Sequence, residues 1–451
     1  MLWRKAQKDI VDWIRNDHKA LMVTGARQIG KTFIIRNTLL EEKCDFVEFN
    51  LIDQPELIET FNQITKGNCK TFLERLTILT EHDLVKGKTI IFFDEIQECK
   101  EIVTKIKFLV EEGSFKYILS GSLLGVELVG LKSAPVGYLD TLKMYPMDLE
   151  EYLVALKIKK QTISLVKNSF DNLTKVDEFI HNKLLESFRS YLVVGGMPEA
   201  VQSYINDGDY NKVLKIHLNI IELYKRDFTK YEKDKKLKLF KTYEMIPSEL
   251  ADKNKRYVFS DLDPNLKFNR YENSFNWLID SGVALPVYNV SEPRLPLEIN
   301  KKSNLFKLFM SDIGLLSSLY GKTTQLAILN NDNSLNCGAI YENVIAQELY
   351  SHGFKGYYFN SHKQGEIDFV IEYYDYVCPI EVKSGKDYTK HSALDNVIAN
   401  RDYHVKNAFV LSNSNVSIDG KIIYLPIYMI MFIDNNLLEL PKLKPIDLSN
   451  I

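Results

Sequence analysis

From residue 20 to about residue 125, short apolar runs alternate with longer amphipathic segments. The runs ALMVTG, FVEFN, TIIFFDE and KYILSGS each stop at polar or glycine residues, and the segments between them have helical periodicity. Continuous apolar runs are typical of strands that are buried on both faces of a parallel sheet. The pattern therefore predicts an α/β domain with a parallel sheet, preceded by an amphipathic helix in residues 1–20.

Beyond residues 135–146 the pattern changes. Residues 148–235 are charged and helix-like with one Gly-Gly-Met-Pro break, and residues 236–325 combine helical segments with the runs LPVYNV and LFKLFM, a helix followed by a hairpin. The segment KLFMSDIGLL, which overlaps the end of LFKLFM, is expected to form a strand followed by a turn. A polar linker at 331–338 precedes a second α/β unit with the order α/β/β/α/β. The predicted domains are 1–147, 148–235, 236–330 and 331–451.

Composition narrows the class of protein. The chain has 451 residues, of which 45% are hydrophobic and 26% charged, and its net charge is −3. These values are typical of globular proteins, and any contact with nucleic acid must come from a local basic patch. The five cysteines form no CxxC pair, and the longest apolar stretch, at 422–433, is too short for a membrane span. We expect a soluble, cytoplasmic protein without a membrane partner.

A glycine-rich loop follows the first apolar run. Residues 25–32 match GxxxxGK[ST] between a strand-like run and an amphipathic helix. The glycines let backbone N–H groups turn toward phosphate oxygens, and the helix N-terminus adds its positive dipole. Lys31 is expected to act on the β- and γ-phosphates and Thr32 to bind Mg²⁺. The predicted nucleotide-binding residues are Gly25, Ala26, Arg27, Gln28, Ile29, Gly30, Lys31 and Thr32. The alternative is an ordinary turn with an exposed lysine.

Two later strands end in polar residues. The run TIIFFDE ends in Asp94 and Glu95, and the run KYILSGS ends in Ser120 and Ser122. Asp94 can hold Mg²⁺ through water, and Glu95 is placed to orient or deprotonate the attacking water. Ser120 is expected beside the γ-phosphate. A simple turn at the strand end remains the alternative for the serines.

These motifs resemble the AAA-type ATPases, and more narrowly the prokaryotic archaeal-type ATPases. GARQIGKT, FFDEIQ, SGS and YPMDLEEYL occur in the order typical of that family. The resemblance implies a P-loop NTPase fold that binds ATP and Mg²⁺ and hydrolyses ATP. The segment GGMPEA resembles a GxP motif, which implies that Pro198 contacts the nucleotide base from a helical lid at 148–235. The alternative for Pro198 is a helix break with proline in the first turn.

The lid departs from the family in its arginines. It shows no clear sensor-2 arginine, for which Arg189 is a guess, and no identifiable arginine finger, for which Arg226 is a candidate. An arginine finger contributes roughly 10³–10⁵-fold to phosphoryl transfer, so slow intrinsic hydrolysis is expected.

The middle of the chain resembles a winged helix, a module that can place a helix in a DNA groove. The expected helix at 270–280 is not notably basic, and a packing or partner-binding role is equally open. The basic run at 225–241 is either a phosphate-binding patch or a solvated helix face.

The C-terminal block contains acidic residues in a paired-strand pattern. Asp368 lies in the run EIDFVI, and Glu381 and Lys383 lie in the run IEVK, where alternation places them on one face. If the two strands pair, Asp368 and Glu381 can share a divalent cation beside Lys383, and Glu342 on the preceding helix is a third predicted ligand. Two carboxylates and a lysine suit metal-assisted phosphodiester hydrolysis. The alternative is an amphipathic hairpin with a surface Glu–Lys pair.

This order resembles the PD-(D/E)xK nuclease superfamily, which implies a restriction-endonuclease-like α/β fold and Mg²⁺ or Mn²⁺ at Glu342, Asp368 and Glu381. Along nearly its full length the chain resembles a prokaryotic ATP-binding protein with an AAA-type domain, a helical lid, a winged helix and a C-terminal domain of unknown function.

Three functions follow from these patterns. The first is an ATPase coupled to a C-terminal domain that binds or cleaves DNA, with Lys31, Glu95, Asp368, Glu381 and Lys383 as catalytic residues. The alternative is a nucleotide-controlled regulatory switch whose nuclease-like domain binds DNA or a protein partner without cleavage. A ring-forming motor is a third option, and the sequence leaves the oligomeric state open.

Overall fold

The structure of the protein is a computed structural model. It describes residues 2–65, 67–80, 82–99, 101–122, 137–228, 233–252, 257, 272–332 and 337–435. Most of the basic run at 225–241 and half of the predicted linker at 331–338 lie outside the residues whose side chains are described.

The N-terminal region contains the predicted parallel sheet. Its five strands are β1 (Ala20–Thr24), β2 (Phe46–Asn50), β3 (Ile90–Asp94), β4 (Lys116–Ser120) and β5 (Leu139–Lys143), in the order β2-β3-β4-β1-β5 with every pairing parallel. Helices α1 (Ala6–Asn16), α2 (Lys31–Glu41), α3 (Glu56–Asn62), α4 (Cys69–Leu79) and α5 (Glu101–Glu112) accompany it. Phe92 and Phe93 lie in two different core clusters, so strand β3 is buried on both faces, as the apolar run predicts.

Five helices follow the sheet. They are α6 (Leu149–Ala155), α7 (Lys160–Asp171), α8 (Glu178–Val194), α9 (Pro198–Asp207) and α10 (Tyr210–Phe228). Asp148 and Glu151 form a capping box at the start of α6, which satisfies two N–H groups that a helix start leaves free. The break between α8 and α9 is the Gly-Gly-Met-Pro segment, with Pro198 in the first turn of α9. A Cβ on Gly195 would lie 2.4 Å from a carboxylate oxygen of Asp312, so the close approach of the middle block requires glycine there.

The middle block contains helix α11 (Lys233–Ala251), helix α12 (Glu272–Asp280), the antiparallel hairpin β6 (Ala284–Val290) and β7 (Lys301–Met310), and helices α13 (Ile313–Tyr320) and α14 (Lys322–Leu329). The predicted helix and hairpin are present. The turn expected after LFKLFM is wrong, because IGLL begins α13, whose N-terminus is capped by Asp312. Asp312 is buried and accepts the backbone N–H of Leu315, so a helix begins directly after the strand.

The C-terminal block contains more strands than the sequence predicts. Helix α15 (Gly338–Ser351) is followed by β8 (Tyr357–Ser361), β9 (Gly365–Ile367), β10 (Phe369–Tyr373), β11 (Tyr376–Val382), helix α16 (Ser392–Ala399), β12 (Ala408–Ser412), β13 (Ser417–Asp419) and β14 (Ile422–Pro426). The run EIDFVIEY, expected as one strand, is two strands in different sheets that separate at Asp368. The order α/β/β/α/β is therefore wrong, because it omits four strands, β8, β9, β13 and β14, each of which is five residues or shorter.

These strands belong to two different sheets. Strands β10-β11-β12-β14-β13 form a mixed five-stranded sheet, and β7-β6-β8-β9 form a four-stranded sheet in which β6 pairs in parallel with β8. The second sheet thus crosses the predicted boundary between residues 330 and 331, and that boundary stays a prediction. One hydrophobic cluster contains residues from Ile10 to Ile433. Among the described residues, none of the helices is both long enough and apolar enough to cross a bilayer.

Candidate nucleotide site and C-terminal acid cluster

The glycine-rich loop lies between β1 and α2 and has the backbone that its sequence predicts. Gly30 has a φ of +86° at the start of α2, and Gln28, which is not glycine, has a φ of +66°. A Cβ on Gly25 would lie 2.3 Å from the carbonyl oxygen of Met144, so only glycine fits beside the end of β5. The left-handed conformation of Gln28 is costly for a residue with a side chain, and such strain is concentrated at functional sites.

Lys31 is the central cation of this loop. Its Nζ donates to the carbonyl oxygens of Gly25 at 3.0 Å and Ala26 at 2.8 Å, and the residue is 8% exposed. Burial lowers the pKa of Lys31 to about 8, against the opposing effect of Glu95 and Asp94. An ammonium held by neutral carbonyl groups in a buried loop gains strongly from an incoming phosphate.

Thr32 and Asp94 meet across the sheet edge. The Thr32 hydroxyl donates to a carboxylate oxygen of Asp94 at 2.8 Å, although the two residues are 62 positions apart. Burial raises the pKa of Asp94, and the Thr32 hydrogen bond partly opposes this shift. A hydroxyl and a carboxylate beside a phosphate-binding loop are hard oxygen groups of the kind Mg²⁺ takes together with water and phosphate. These two residues therefore fit a nucleotide-bound Mg²⁺.

Glu95 lies directly after Asp94 in a left-handed conformation, with a φ of +56°. Its carboxylate accepts a hydrogen bond from the side-chain amide of Gln97, and the side-chain oxygen Oε1 of Gln97 accepts from the Ser122 backbone N–H at 3.1 Å. This chain of contacts joins the ends of β3 and β4 and orients the Glu95 side chain at the cavity described next.

A cavity of about 410 Å³ opens at this edge of the sheet, and it contains most of the predicted nucleotide residues. Ser120 and Ser122 lie in its wall, and the Arg27 guanidinium donates to the Ser122 hydroxyl at 3.1 Å. We call it the nucleotide cavity, and its lining is Arg27, Gln28, Gly30, Lys31, Thr32, Phe33, Arg36, Asp94, Glu95, Ser120, Gly121, Ser122 and Leu223. Gly25, Ala26 and Ile29 lie in the loop behind this surface.

The last of the five helices, α10, reaches the loop through Arg27. The Arg27 guanidinium pairs with the buried Asp227 carboxylate at 2.7 Å, and the Tyr224 hydroxyl donates to the Arg27 carbonyl oxygen at 3.0 Å. Pro198 approaches the loop as well, because a Cβ on Gly30 would lie 3.6 Å from its ring. Pro198 is not part of the cavity lining, so its predicted contact with the base stays a prediction. Asp227 and Tyr224 were not predicted, since no motif marks them.

The middle block also touches the loop. Gly282, at the turn between α12 and β6, has a φ of +76°, and a Cβ there would lie 3.1 Å from the Ala26 backbone nitrogen. Trp277 of α12 packs edge-on against Phe228 at the end of α10, with ring centroids 5.2 Å apart. The nucleotide loop is thus enclosed by the preceding sheet, by the five-helix segment and by the middle block.

In the C-terminal block the predicted hairpin forms between β10 and β11, in a register that pairs Phe369 with Ile380. One step further along this register, Asp368 faces Glu381. The Asp368 carboxylate accepts from the Val382 backbone N–H at 2.8 Å, and the Lys383 ammonium lies 2.8 Å from one carboxylate oxygen of Glu381. The other carboxylate oxygen of Glu381 is buried with no hydrogen-bond partner within the described chain. Burial raises the pKa of Glu381, and Lys383 partly opposes this shift.

Lys307 on β7 joins this group, and it was not predicted. Its side chain is fully buried, and its ammonium lies 2.7 Å from Glu366 and 3.4 Å from Glu342. Burial disfavours the ammonium, but the Glu342, Glu366 and Asp368 carboxylates outweigh it and raise the pKa of Lys307. We call Glu342, Glu366, Asp368 and Glu381, with Lys307, the acid cluster.

The predicted metal ligands do not form an evident metal site. No group of three or more histidines, cysteines or carboxylates that could hold a metal ion occurs among the described residues. Glu342 faces the Lys307 ammonium, and Asp368 is engaged by the β11 backbone. The assignment of Glu342, Asp368 and Glu381 as metal ligands stays a prediction.

A second cavity, of about 440 Å³, lies where α8 meets the loop that follows Lys383. Arg189 lines it, together with Tyr341 and the segment Ser384, Gly385 and Lys386. The Arg189 Nε is buried without a hydrogen-bond partner in the described part of the chain. Arg189 therefore faces this second cavity and is absent from the lining of the nucleotide cavity, where a sensor-2 arginine would act.

A buried polar network connects the helical segment to the C-terminal block. Glu348 of α15 accepts from the Leu149 backbone N–H at 3.0 Å and from the Tyr191 hydroxyl at 3.0 Å. Burial, together with the nearby Asp148, raises the pKa of Glu348 to about 7. Asp148 in turn pairs with Lys5 at 2.7 Å, so the N-terminal segment, the helices and α15 share one network.

Comparison with known families identifies the first domain. Residues 17–153 match the family model of an AAA domain, AAA_14. Residues 185–326 and 337–430 match two domains of unknown function, DUF8612 and DUF4143. A comparison with curated proteins finds no match.

Among solved structures, the Walker-type ATPase PABY2304 of Pyrococcus abyssi is 14% identical, with a TM-score of 0.41 over 71% of this chain and 96% of that one. The Holliday junction branch migration motor RuvB of Thermotoga maritima is 12% identical, with a TM-score of 0.28 over 65% of this chain and 90% of that one. At these TM-scores neither likeness identifies a shared fold. The AAA match carries the conclusion that this chain contains an AAA-type P-loop domain, which supports ATP binding and ATP hydrolysis.

Proposed function

We propose that the chain is an ATPase whose nucleotide state controls DNA binding by its C-terminal region. The observation that carries the ATPase half is the Thr32–Asp94 hydrogen bond beside the buried Lys31, because it assembles the phosphate and Mg²⁺ groups of the AAA-type domain in one cavity. The control of the C-terminal region is supported by the direct contacts of α10 and the middle block with the same loop.

In this proposal each residue of the loop has a separate task. Lys31 would neutralise phosphate charge in place of its present contacts with carbonyl oxygens, and Thr32 and Asp94 would hold Mg²⁺, which would offset the charge of the nucleotide phosphates. Glu95 orients the attacking water and accepts its proton. Ser120 lines the wall where the γ-phosphate is expected. Arg27 is held by Asp227, so a phosphate that attracts Arg27 alters its pairing with α10.

Single-site variants test the ATPase half. We expect Glu95→Gln to bind ATP with nearly unchanged affinity and to hydrolyse it at least roughly 10²-fold more slowly, because only the proton acceptor is lost. Glu98→Gln on the same segment is the matched control. Equal turnover by Glu95→Gln and the wild type would remove Glu95 from the proposal.

The DNA-binding half is supported by the second cavity. Its lining contains two cationic residues, Arg189 and Lys386, and one acidic residue, Asp332, next to the open backbone at Gly385. The Nε of Arg189 has no hydrogen-bond partner among the described residues. Such groups bind phosphate oxygens, and their contribution to affinity falls steeply with salt. We propose that this cavity receives a backbone phosphate of DNA.

Fluorescence anisotropy with a short DNA duplex, in ADP and in a non-hydrolysable ATP analogue, tests this half. We expect the nucleotide to change the affinity and Arg189→Ala to weaken binding several-fold and to lower the salt slope by about one. Lys183→Ala, an exposed cation on the same helix, is the control. Equal binding by Arg189→Ala and Lys183→Ala would contradict the assignment, and capture of a protein instead of DNA would favour a protein partner.

A second candidate function is DNA cleavage, favoured by the approach of Asp368 and Glu381 next to Lys383. Incubation of plasmid DNA with Mg²⁺ or Mn²⁺, with and without ATP, tests it. Metal-dependent cutting that Lys383→Ala abolishes would support cleavage. If the protein binds DNA but does not cut it, the proposal of a nucleotide-controlled switch without cleavage remains.

A further inference from the structure

The acid cluster contains a cation of its own. Lys307 extends from β7, and its ammonium lies 2.7 Å from Glu366 and 3.4 Å from Glu342, with no exposed side-chain surface. The same ammonium acts electrostatically on Asp368 and on Glu381. All four carboxylates of the cluster are thus within reach of one buried positive charge.

The position of this ammonium is fixed by its neighbours. The Tyr358 ring lies 5.0 Å from the Lys307 ammonium, a distance suited to a cation–π contact. Lys307 belongs to β7 and Glu366 to β9, which lie in the same four-stranded sheet, and Glu342 approaches from α15. The ammonium is therefore held from three sides, and a rotamer change that carried it to solvent would take its positive charge away from the buried Glu342 carboxylate.

A lysine at this place competes with a metal ion. A divalent cation needs several oxygen ligands with free lone pairs that point at one position. Here Glu342 and Glu366 face Lys307, Asp368 accepts a backbone N–H, and one oxygen of Glu381 pairs with Lys383. Only the second oxygen of Glu381 has no hydrogen-bond partner within the described residues, and one free oxygen is fewer than a divalent cation needs. The described residues accordingly contain no three-ligand metal group. The disagreement with the metal site expected from the sequence thus has a physical cause, because two lysines and a backbone N–H already occupy these carboxylates, and the fully buried cation among them is Lys307.

We propose that Lys307 substitutes for the divalent cation of a nuclease-type centre, so that the acid cluster is closed to Mg²⁺ and Mn²⁺ while Lys307 is present. This inference rests on the proposed function, in which the C-terminal region binds DNA and does not need to cut it. Its consequence is that removal of the ammonium opens a divalent-cation site among the same carboxylates.

Counting of bound Mn²⁺ on the full-length protein tests the inference, and it needs neither nucleotide nor DNA. Free Mn²⁺ is measured by electron paramagnetic resonance for the wild type and Glu381→Gln, and for Lys307→Met and the double variant Lys307→Met with Glu381→Gln. Each pair differs only at Glu381, so Mn²⁺ bound at the nucleotide cavity cancels. We expect equal binding in the first pair and one additional Mn²⁺ in Lys307→Met relative to its double variant.

Two outcomes would overturn the inference. One is Mn²⁺ binding by the wild type that Glu381→Gln removes, since the cluster would then hold metal with Lys307 in place. The other is a folded Lys307→Met protein that gains no Mn²⁺. If Lys307→Met does not fold, the wild-type pair still decides between a closed and an open cluster. Failure of ATP or DNA binding would refute the proposed function and leave this result unaffected.

Discussion

The nucleotide cavity and the acid cluster both combine a buried lysine with carboxylates, yet the pKa of the lysine is lowered in the first and raised in the second. Lys31 is held by two carbonyl oxygens beside an open cavity, and burial lowers its pKa to about 8. Lys307 is held by carboxylates at a position where its side chain is fully buried, and its pKa is raised. The first ammonium therefore lacks a full counter-charge until a phosphate binds, whereas the second already has one.

The difference shows how a charged site can be prepared for a ligand or closed to it. A buried cation with neutral partners contributes to ligand affinity, because the ligand supplies its missing counter-charge. A buried cation with anionic partners contributes to folding instead. Carboxylate count alone therefore does not distinguish a metal site from a structural ion network, and the partners that the carboxylates already have must be considered as well.

The largest expected effect comes from removing the buried lysine of the nucleotide cavity. We expect Lys31→Ala to lower ATP turnover by at least roughly 10²–10³-fold, because the developing phosphate charge loses its buried cation. Steady-state phosphate release measures this effect. Lys8→Ala, an exposed lysine on α1, is the control and should retain full turnover. Turnover that survives Lys31→Ala would place the reaction elsewhere.

The next largest effect is expected from removing the buried lysine of the acid cluster. We expect Lys307→Met to lower the free energy of unfolding by about 3–5 kcal/mol, because it leaves buried carboxylates without their cation. Urea unfolding followed by circular dichroism measures the change. Lys355→Met removes a lysine whose pairing with Glu298 is at the surface, and it should cost no more than about 1 kcal/mol. An equal loss in the free energy of unfolding for the two variants would contradict the difference drawn between the buried and the surface lysine.

A pH titration sharpens the comparison. In the free protein the pKa of Lys31 is about 8, and a bound phosphate stabilises the ammonium and raises it. ATP affinity is thus expected to be constant below pH 8 and to fall by about tenfold per pH unit above it, until the pKa of the bound form is reached. Isothermal titration calorimetry between pH 7 and 9.5 gives the profile. Lys31→Arg, whose guanidinium stays charged, should bind with a flat profile.

The smallest expected effect concerns the contact that joins the loop to α10. We expect Asp227→Asn to lower the free energy of unfolding by about 1–3 kcal/mol, since Arg27 loses a charge-assisted hydrogen bond. Thermal unfolding with and without ADP measures both stability and linkage. If Arg27 transmits the nucleotide state, the stabilisation by ADP should also differ from that of the wild type. An unchanged ADP effect would separate this contact from nucleotide binding.

The nucleotide site was largely predictable because its parts obey local rules. A glycine loop between a strand and a helix identifies Lys31 and Thr32. Asp94 could be placed beside them because the carboxyl ends of parallel strands meet at one edge of the sheet. The parallel sheet is confirmed for the same reason, since four of its strands lie in the predicted apolar runs. The fifth strand, β5, has the mixed sequence LDTLK and was not predicted.

The contacts that decide the role of the C-terminal block were not predictable in this way. Lys307 meets partners that are 35 and 59 positions away, and their approach depends on how two sheets pack. One signal was present, because Lys307 lies between Leu305 and Phe309 on one face of a strand, where a lysine is out of place unless it is paired. The position of Arg189 at the second cavity carries no local signature, since it depends on the packing of α8 against the loop after Lys383.

The parallel pairing of β6 with β8 has a consequence for how such a chain can be shortened or recombined. Strand β6 is central in its sheet, with β7 on one side and β8 on the other. A chain cut at residue 330 would keep β6 but lose β8, and a fresh row of unpaired backbone groups would be open to aggregation. A fusion protein or a truncated variant that keeps one of the last two predicted domains is therefore expected to need the other as well, since the four-stranded sheet is built from both.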